Sequence, residues 1–392
     1  MKYLPRYYEQ LDDYLEPGKV LILFGPRRVG KTTLLNNFLG QTKLKYRLES
    51  GDNQRVHEQL SYQNFDDILD FAAGYELIAI DEAQTIPNIG MALKILVDQR
   101  PDIKVVVTGS SSFDLNNKLG EPLTGRQRKL TIYPIAQLEL ATTMSNYDLR
   151  QTLSQRLVFG SYPNILTAKS EGDRQQLITE ITDSYLLKDI LTHENIKNSK
   201  IMRDLLRLLA LQLGSQVSIN ELGTQLGLHN KTIEKYLDLL EKSFVIWRLD
   251  GFSRNLRSEI KRMSKYYFYD LGVRNALLGA FAPLDQRTDT GALWENFLLI
   301  ERKKFREYSG LFANEYFWRT YAQSEIDLIE EYAGKLHAYE CRLTANNKLK
   351  APNEWSHNYP GSEFEVISNK NYLSFIIGLE PRRQSTKKEL LS

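Results

Sequence analysis

Short aliphatic runs separated by longer stretches of three-to-four periodicity fill the first third of the chain. Runs near 19–24, 44–49, 77–80, 104–108 and 128–132 have the length and composition of strands, and Phe65–Ala73 and Ile89–Asp98 between them carry helical spacing. Strands alternating with helices predict an α/β fold with a parallel sheet. From 136 to 215 the strand character is lost. Leu149–Phe159, Gln175–Leu191 and Met202–Leu213 place apolar residues three and four apart and read as helices, with Gly160, Ser161, Tyr162 and Pro163 forming a turn.

Beyond 215 the pattern changes twice. Ser218 with Glu221 makes a capping box for a helix through Leu226, Gly227 to His229 is a tight turn, and Asn230 opens a second helix, which together predict a helix-turn-helix. Ile233, Tyr236, Leu237 and Leu240 fall on its inner face, leaving Asn230, Lys231, Thr232 and Lys235 outward. Strand-like Val245–Leu249 and Tyr266–Tyr269 bracket Arg254, Arg257, Lys261, Arg262 and Lys265 against the single acid Glu259, a basic wing suited to phosphate contact. A helical run Gly291–Glu307 carrying Glu295 comes next. Strand-like runs follow at Glu315–Tyr321, Glu325–Glu330, Leu336–Leu343 and Glu363–Ile367, an order α-β-β-β-α-β. The expected division is 1–135, 136–215, 216–285 and 286–380, with a polar basic tail at 381–392.

Composition narrows the field by exclusion. Lys plus Arg number 51 and Asp plus Glu 49, a net charge of +2, so any nucleic-acid surface must come from local clustering. Cys341 is the only cysteine, which excludes an internal disulfide framework and fits a reducing cytoplasm, the expected location. His57, His193, His229, His337 and His357 are too scattered for a zinc site. The first residues lack the apolar core of a signal peptide, and no run approaches the length of a membrane span.

The chemistry concentrates early. Gly25, Pro26, Arg27, Arg28, Val29, Gly30, Lys31 and Thr32 form a complete G-x4-G-K-[ST] phosphate loop between a strand and a helix that Thr33 continues. Backbone N–H groups of such a loop cradle phosphates; Lys31 is expected to reach the β and γ phosphates and the Thr32 hydroxyl to ligate Mg²⁺. The pattern implies an ATP-type nucleotide and Mg²⁺ as cofactors. Asp81 and Glu82 end the apolar run Leu77–Ile80: Asp81 is the expected metal holder, and Glu82 the carboxylate that orients or deprotonates water. The third strand ends in Thr108, Gly109, Ser110, Ser111 and Ser112, where either Thr108 or Ser110 could sense the γ phosphate. Arg126 follows Gly125 as a candidate transition-state contact in its own site or a neighbour's. Asp327 and Glu340, on adjacent predicted strands, are a second candidate Mg²⁺ pair.

These motifs in this order resemble a large prokaryotic group of AAA-type, archaeal-ATPase-like P-loop ATPases that carry a C-terminal domain of unknown function. The resemblance rests on GPRRVGKTTLL (25–35), LIAIDEAQ (77–84), VVVTGSS (105–111), Gly125 with Arg126, FGSYP (159–163), Tyr185 with Lys188, Asp189 and Ile190, the helix-turn-helix, and FWRTYAQSEIDLI (317–329). It implies a P-loop NTPase core with an additional strand, a helical linker, a winged helix, and a terminal domain similar to the restriction-endonuclease fold. The nuclease pattern ends in E-x-K, whereas this chain has Glu340, Cys341 and Arg342. Arginine keeps the charge but not lysine's proton chemistry, so cleavage is not expected. The expected partners are ATP, DNA through the winged helix, and further copies of the chain; the competing expectation is a nucleotide-driven signalling switch whose C-terminal domains bind proteins.

Overall fold

The computed structural model describes residues 3–110, 122–186, 199–253, 264–320, 322–345 and 349–378. Ser111, Ser112, Lys188, Asp189, Ile190, Arg254, Arg257, Glu259, Lys261, Arg262 and the tail 381–392 lie outside the described residues, as do the side chains of Ser110 and Tyr185.

The amino-terminal sheet consists of β1 (Val20–Gly25), β2 (Tyr46–Ser50), β3 (Leu77–Asp81), β4 (Lys104–Ser110) and β5 (Gln127–Thr131) in the order β2-β3-β4-β1-β5. Every neighbouring pair is parallel. Val20, Ile22 and Phe24 pack on one face with Ile78, Ile80, Val105 and Val107, under α3 (Phe65–Ala72) and α4 (Ile89–Gln99). Leu21 and Leu23 pack on the other with Ala79, Val106 and the inner side of α1 (Lys31–Leu39). That two-residue alternation puts apolar side chains on both faces, which is why the central strands read as continuous hydrophobic runs. Each fully buried aliphatic side chain contributes about 1.5–3 kcal/mol, so burial fixes the sheet. A helix α2 (Gln54–Leu60) precedes α3.

Between the two sheets lie α5 (Gln137–Leu140), α6 (Asn146–Gln151), α7 (Leu153–Phe159), α8 (Pro163–Leu166), α9 (Glu171–Glu180), a π-helical turn Ile181–Leu186, and α10 (Ser199–Leu211). The single helix expected over 149–159 is two, because Thr152 leaves helical geometry at φ −92°, ψ 4° and its hydroxyl bonds back to the Asp148 carbonyl at 2.7 Å.

A second, seven-stranded sheet has the order β12-β11-β10-β9-β7-β8-β6. Its strands are β6 (Gln216–Val217), β7 (Ile246–Gly251), β8 (Ser264–Phe268), β9 (Asn314–Arg319), β10 (Glu325–Tyr332), β11 (Lys335–Cys341) and β12 (Glu363–Ile367). The helices are α11 (Ile219–Leu226), α12 (Asn230–Lys242), α13 (Leu271–Leu278), α14 (Thr290–Ser309), α15 (Asn353–Asn358) and α16 (Tyr372–Ile377). Strand β7 pairs in parallel with β9 through Asp250↔Tyr316 and Gly251↔Phe317, so the sheet runs without a break across residue 285.

The 20-residue α14 joins the two halves. Trp294, Leu298 and Leu299 are buried in the main core, and at its end the Tyr133 hydroxyl donates to Glu307 at 2.6 Å while Tyr308 stacks on Tyr7 at 4.9 Å between ring centroids. Phe244, just past α12, meets Phe24 edge to face at 5.3 Å, immediately before the phosphate loop. Among the described residues no helix is long and apolar enough to cross a membrane.

Candidate functional site

Strand β1 delivers the chain to Gly25, whose position a side chain cannot share because its Cβ would strike the Ile132 carbonyl. The loop then turns through left-handed Arg28 (φ 61°) and Gly30 (φ 98°) into α1. Lys31 is buried inside this turn and donates to the carbonyls of Gly25 at 2.9 Å and Pro26 at 2.8 Å. An ammonium held by two loop carbonyls is poised to exchange one of them for a phosphate oxygen.

Because β4 lies between β1 and β3, Thr108 stands between the loop and the carboxylates. Its hydroxyl donates to Asp81 Oδ1 at 2.5 Å and accepts from the Glu82 N–H at 3.0 Å. The Thr32 hydroxyl donates to Asp81 Oδ2 at 2.9 Å, which puts the two expected Mg²⁺-holding groups side by side with oxygen donors only, the chemistry a hard divalent cation takes. Glu82 has a left-handed backbone (φ 53°, ψ 42°), a conformation costing about 1–3 kcal/mol in a residue other than glycine. Three contacts hold it: the Thr108 hydroxyl, the Thr85 hydroxyl on its carbonyl at 2.9 Å, and the Gln84 amide on its carboxylate. The sequence motif includes Gln84, yet nothing in its spacing announces that this side chain grips Glu82.

Thr33 is exposed on α1, and Arg27 and Arg28 are half-buried in the loop. Arg126 is not brought to this site. It precedes β5 at Gln127, which pairs with Val20 at the start of β1, whereas the phosphate loop leaves the other end of β1. Six strand residues separate the two ends, about 20 Å. Arg126 instead pairs with Asp98 at 2.5 Å.

One functional neighbour had no sequence signal at all. Arg6, buried, donates to the carbonyls of Val29 in the loop (3.0 Å) and Tyr133 (2.7 Å) and pairs with Glu139 at 3.0 Å. The preceding Tyr3, Leu4 and Pro5 wall a cavity of about 880 Å³ with Ile165, Leu166 and Leu177. Pro163, at the head of that second wall, lies 4.0 Å from where a Cβ on Gly30 would stand.

A second polar centre lies in the seven-stranded sheet. Lys265, 1 % exposed, sits among Glu295 (3.2 Å), Glu325 and Asp327. The Tyr267 hydroxyl donates to Glu295 at 2.6 Å, and the Cys341 N–H donates to Asp327 at 2.8 Å. Burial, then the charges of Glu295 and Glu340, push the Asp327 carboxyl well above the ordinary range; burial raises Glu340 to about 7, opposed by Arg342 with which it pairs. The expected Mg²⁺ pair Asp327 and Glu340 is therefore brought to one centre, but a lysine ammonium already supplies cationic charge there. Among the described residues no group of three or more His, Cys, Asp or Glu is arranged to hold a metal.

Residues 17–141 match the family described as AAA domain. The chain carries an N-terminal AAA-type P-loop ATPase domain. Residues 150–284 and 290–375 match two domains of unknown function, DUF8612 and DUF4143. The chain is similar to an uncharacterized protein of Mycobacterium tuberculosis, 29 % identical over 340 residues, covering 86 % of this chain and 73 % of that one. An uncharacterized protein of Haemophilus influenzae is 26 % identical over 294 residues, 70 % of this chain and 72 % of its own. Among solved structures, the Walker-type ATPase of Pyrococcus abyssi aligns with 18 % identity and a TM-score of 0.46 over 70 % of this chain and 94 % of its own. The similarity of the AAA domain supports ATP binding and ATP hydrolysis.

Proposed function

We propose that this chain is a Mg²⁺-dependent ATP hydrolase whose turnover is coupled to nucleic acid through its carboxyl-terminal half. The observation that carries the first part is the Thr32–Asp81–Thr108 hydrogen-bond chain, which joins the loop, the acidic strand and the strand between them. Lys31 would draw the β and γ phosphates, Thr32 and Asp81 would hold Mg²⁺, and Glu82 would orient the attacking water. The metal would supply charge neutralisation at the phosphates. The cavity beside Leu4 and Ile165 is of a size that fits a nucleobase and ribose. Lys31→Ala is expected to abolish ATP binding, and Glu82→Gln to keep binding while lowering turnover by about 10²- to 10⁴-fold. Normal turnover by Glu82→Gln removes Glu82 from this role.

The nucleic-acid part rests on α11 and α12 as a helix-turn-helix, with Ser218 capping the first helix and Asn230, Lys231 and Lys235 exposed on the second. The hairpin β7–β8 would act as its wing, contacting phosphates. Gel shifts at several salt concentrations test this: Lys231→Ala/Lys235→Ala is expected to weaken binding on all sequences and flatten the salt slope by about two units. An unchanged slope and affinity reassigns the module to protein contact, the reading favoured by one observation, that β9 already covers the outer edge of β7. We propose further that the Lys265 centre does not cleave nucleic acid, since a buried ammonium stands where a catalytic cation would act.

A further inference from the structure

The peptide unit between Val29 and Gly30 leads into Gly30, the N-cap of the helix expected to receive the phosphates, and its orientation is set from outside the loop. In a trans peptide the C=O and N–H point in opposite directions. The Val29 carbonyl accepts from Arg6 Nη1 at 3.0 Å, so the Gly30 N–H is aimed away from Arg6. Gly30, at φ 98°, has no Cβ to resist a flip of this unit, and Val29 itself is fully buried. Arg6 is in turn anchored by two further contacts, the Tyr133 carbonyl just past β5 and the carboxylate of Glu139 on α5. Glu139 also accepts from the Tyr7 N–H at 2.9 Å, which closes the strap on the segment that carries Arg6.

We propose that Arg6 is a positioning residue for nucleotide binding: its guanidinium fixes the Val29–Gly30 peptide so that the loop's N–H groups are preset for phosphate, and ties the Tyr3–Pro5 wall of the neighbouring cavity to that loop. This rests on the ATP reading above. A planar, forked cation is required because two carbonyls and a carboxylate are served at once, a task one ammonium does not match.

The test measures ATP affinity and steady-state kinetics on the full chain. Removing Arg6 alone would strand the buried Glu139, so the informative pair is Glu139→Gln against Arg6→Met/Glu139→Gln. The double variant is expected to bind ATP about tenfold to a hundredfold more weakly than Glu139→Gln, with kcat at saturation changed less than about threefold. Arg6→Lys keeps the charge opposite Glu139, and with it the fold; it is expected to fall between wild type and the double variant. A role in stability alone would lower the melting temperature of these variants without moving KM apart from kcat. Affinities equal to wild type in Arg6→Lys, or equal within the pair, overturn the inference while leaving the ATP reading intact. A wild type that binds no ATP overturns both.

Discussion

Lys265 Nζ lies 3.2 Å from Glu295 Oε1, a buried ion pair through which strand β8 meets helix α14. The same ammonium reaches Glu325, so one cation serves carboxylates from a helix and a strand. Lys265→Met is expected to destabilise the protein by at most about 3–5 kcal/mol, because buried Asp327 and the partly buried Glu295 and Glu325 lose their counter-charge. Lys265→Met/Glu295→Gln should recover part of that loss. Denaturant midpoints measure both; a single variant as stable as wild type would show that the ammonium neutralises nothing.

Gln84 reaches back to the Glu82 carboxylate across two residues. If this contact aims Glu82 at water, Gln84→Ala should lower kcat by about tenfold and leave ATP affinity unchanged, a smaller loss than Glu82→Gln itself. Equal kcat in Gln84→Ala and wild type would leave Glu82 oriented by its backbone alone.

Arg126, paired with Asp98 far along the sheet from the loop, has no path to the phosphates of its own site. Arg126→Ala is expected to leave ATP affinity and the rate of dilute protein unchanged, and to cost at most about 1 kcal/mol of stability through the exposed ion pair. If the rate per subunit of wild type rises with concentration and that of the variant does not, Arg126 acts on a neighbouring copy. An equal loss of kcat at every concentration would return it to its own site.

Glu241 on α12 supplies a pH signature. Burial raises its carboxyl from 4.5 to about 7, with Asp238 and Asp250 adding to the rise and Arg248 and Lys242 opposing it. Between those values the folded state holds a proton that the unfolded state has released, so stability falls as pH rises from about 4.5 to about 7 and is level above. Glu241→Gln should match wild type near pH 4.5 and be more stable at pH 8 by about 1–3 kcal/mol. Melting curves across that range decide it; parallel pH profiles would mean the carboxyl ionises freely in the fold.

The strands and the phosphate loop were legible because their signals are local. Val20–Gly25, Leu77–Asp81 and Lys104–Ser110 are apolar runs with chemistry at one end, and Ser218 caps α11 by accepting from the Glu221 N–H at 3.3 Å, one half of the capping box its spacing predicts. Contacts made across long sequence separations were not legible. Arg6 meets Tyr133 from 127 residues away, and Lys265 meets Glu295 across 30. The short helix Tyr372–Ile377 was missed because six residues are too few to display a period; packing against α14 makes it helical. Composition does not separate Thr108 from Ser110; the parallel register sets the Thr108 hydroxyl beside Asp81, and the Ser110 side chain lies outside the described residues.

The pairing of β7 with β9 has a bearing on how this chain is divided in the laboratory. The two matched regions of unknown function meet between residues 284 and 290, yet the hydrogen bonds at Asp250 and Gly251 cross that seam. A fragment beginning at 290 would be born with β9 unpaired along one side and without Lys265 for Glu295, an aggregation-prone half-sheet carrying an unpaired charge. Expressed pieces should therefore keep residues 216–378 together, and a mechanical pull on the hairpin would load the terminal strands directly, with no linker between them to absorb it.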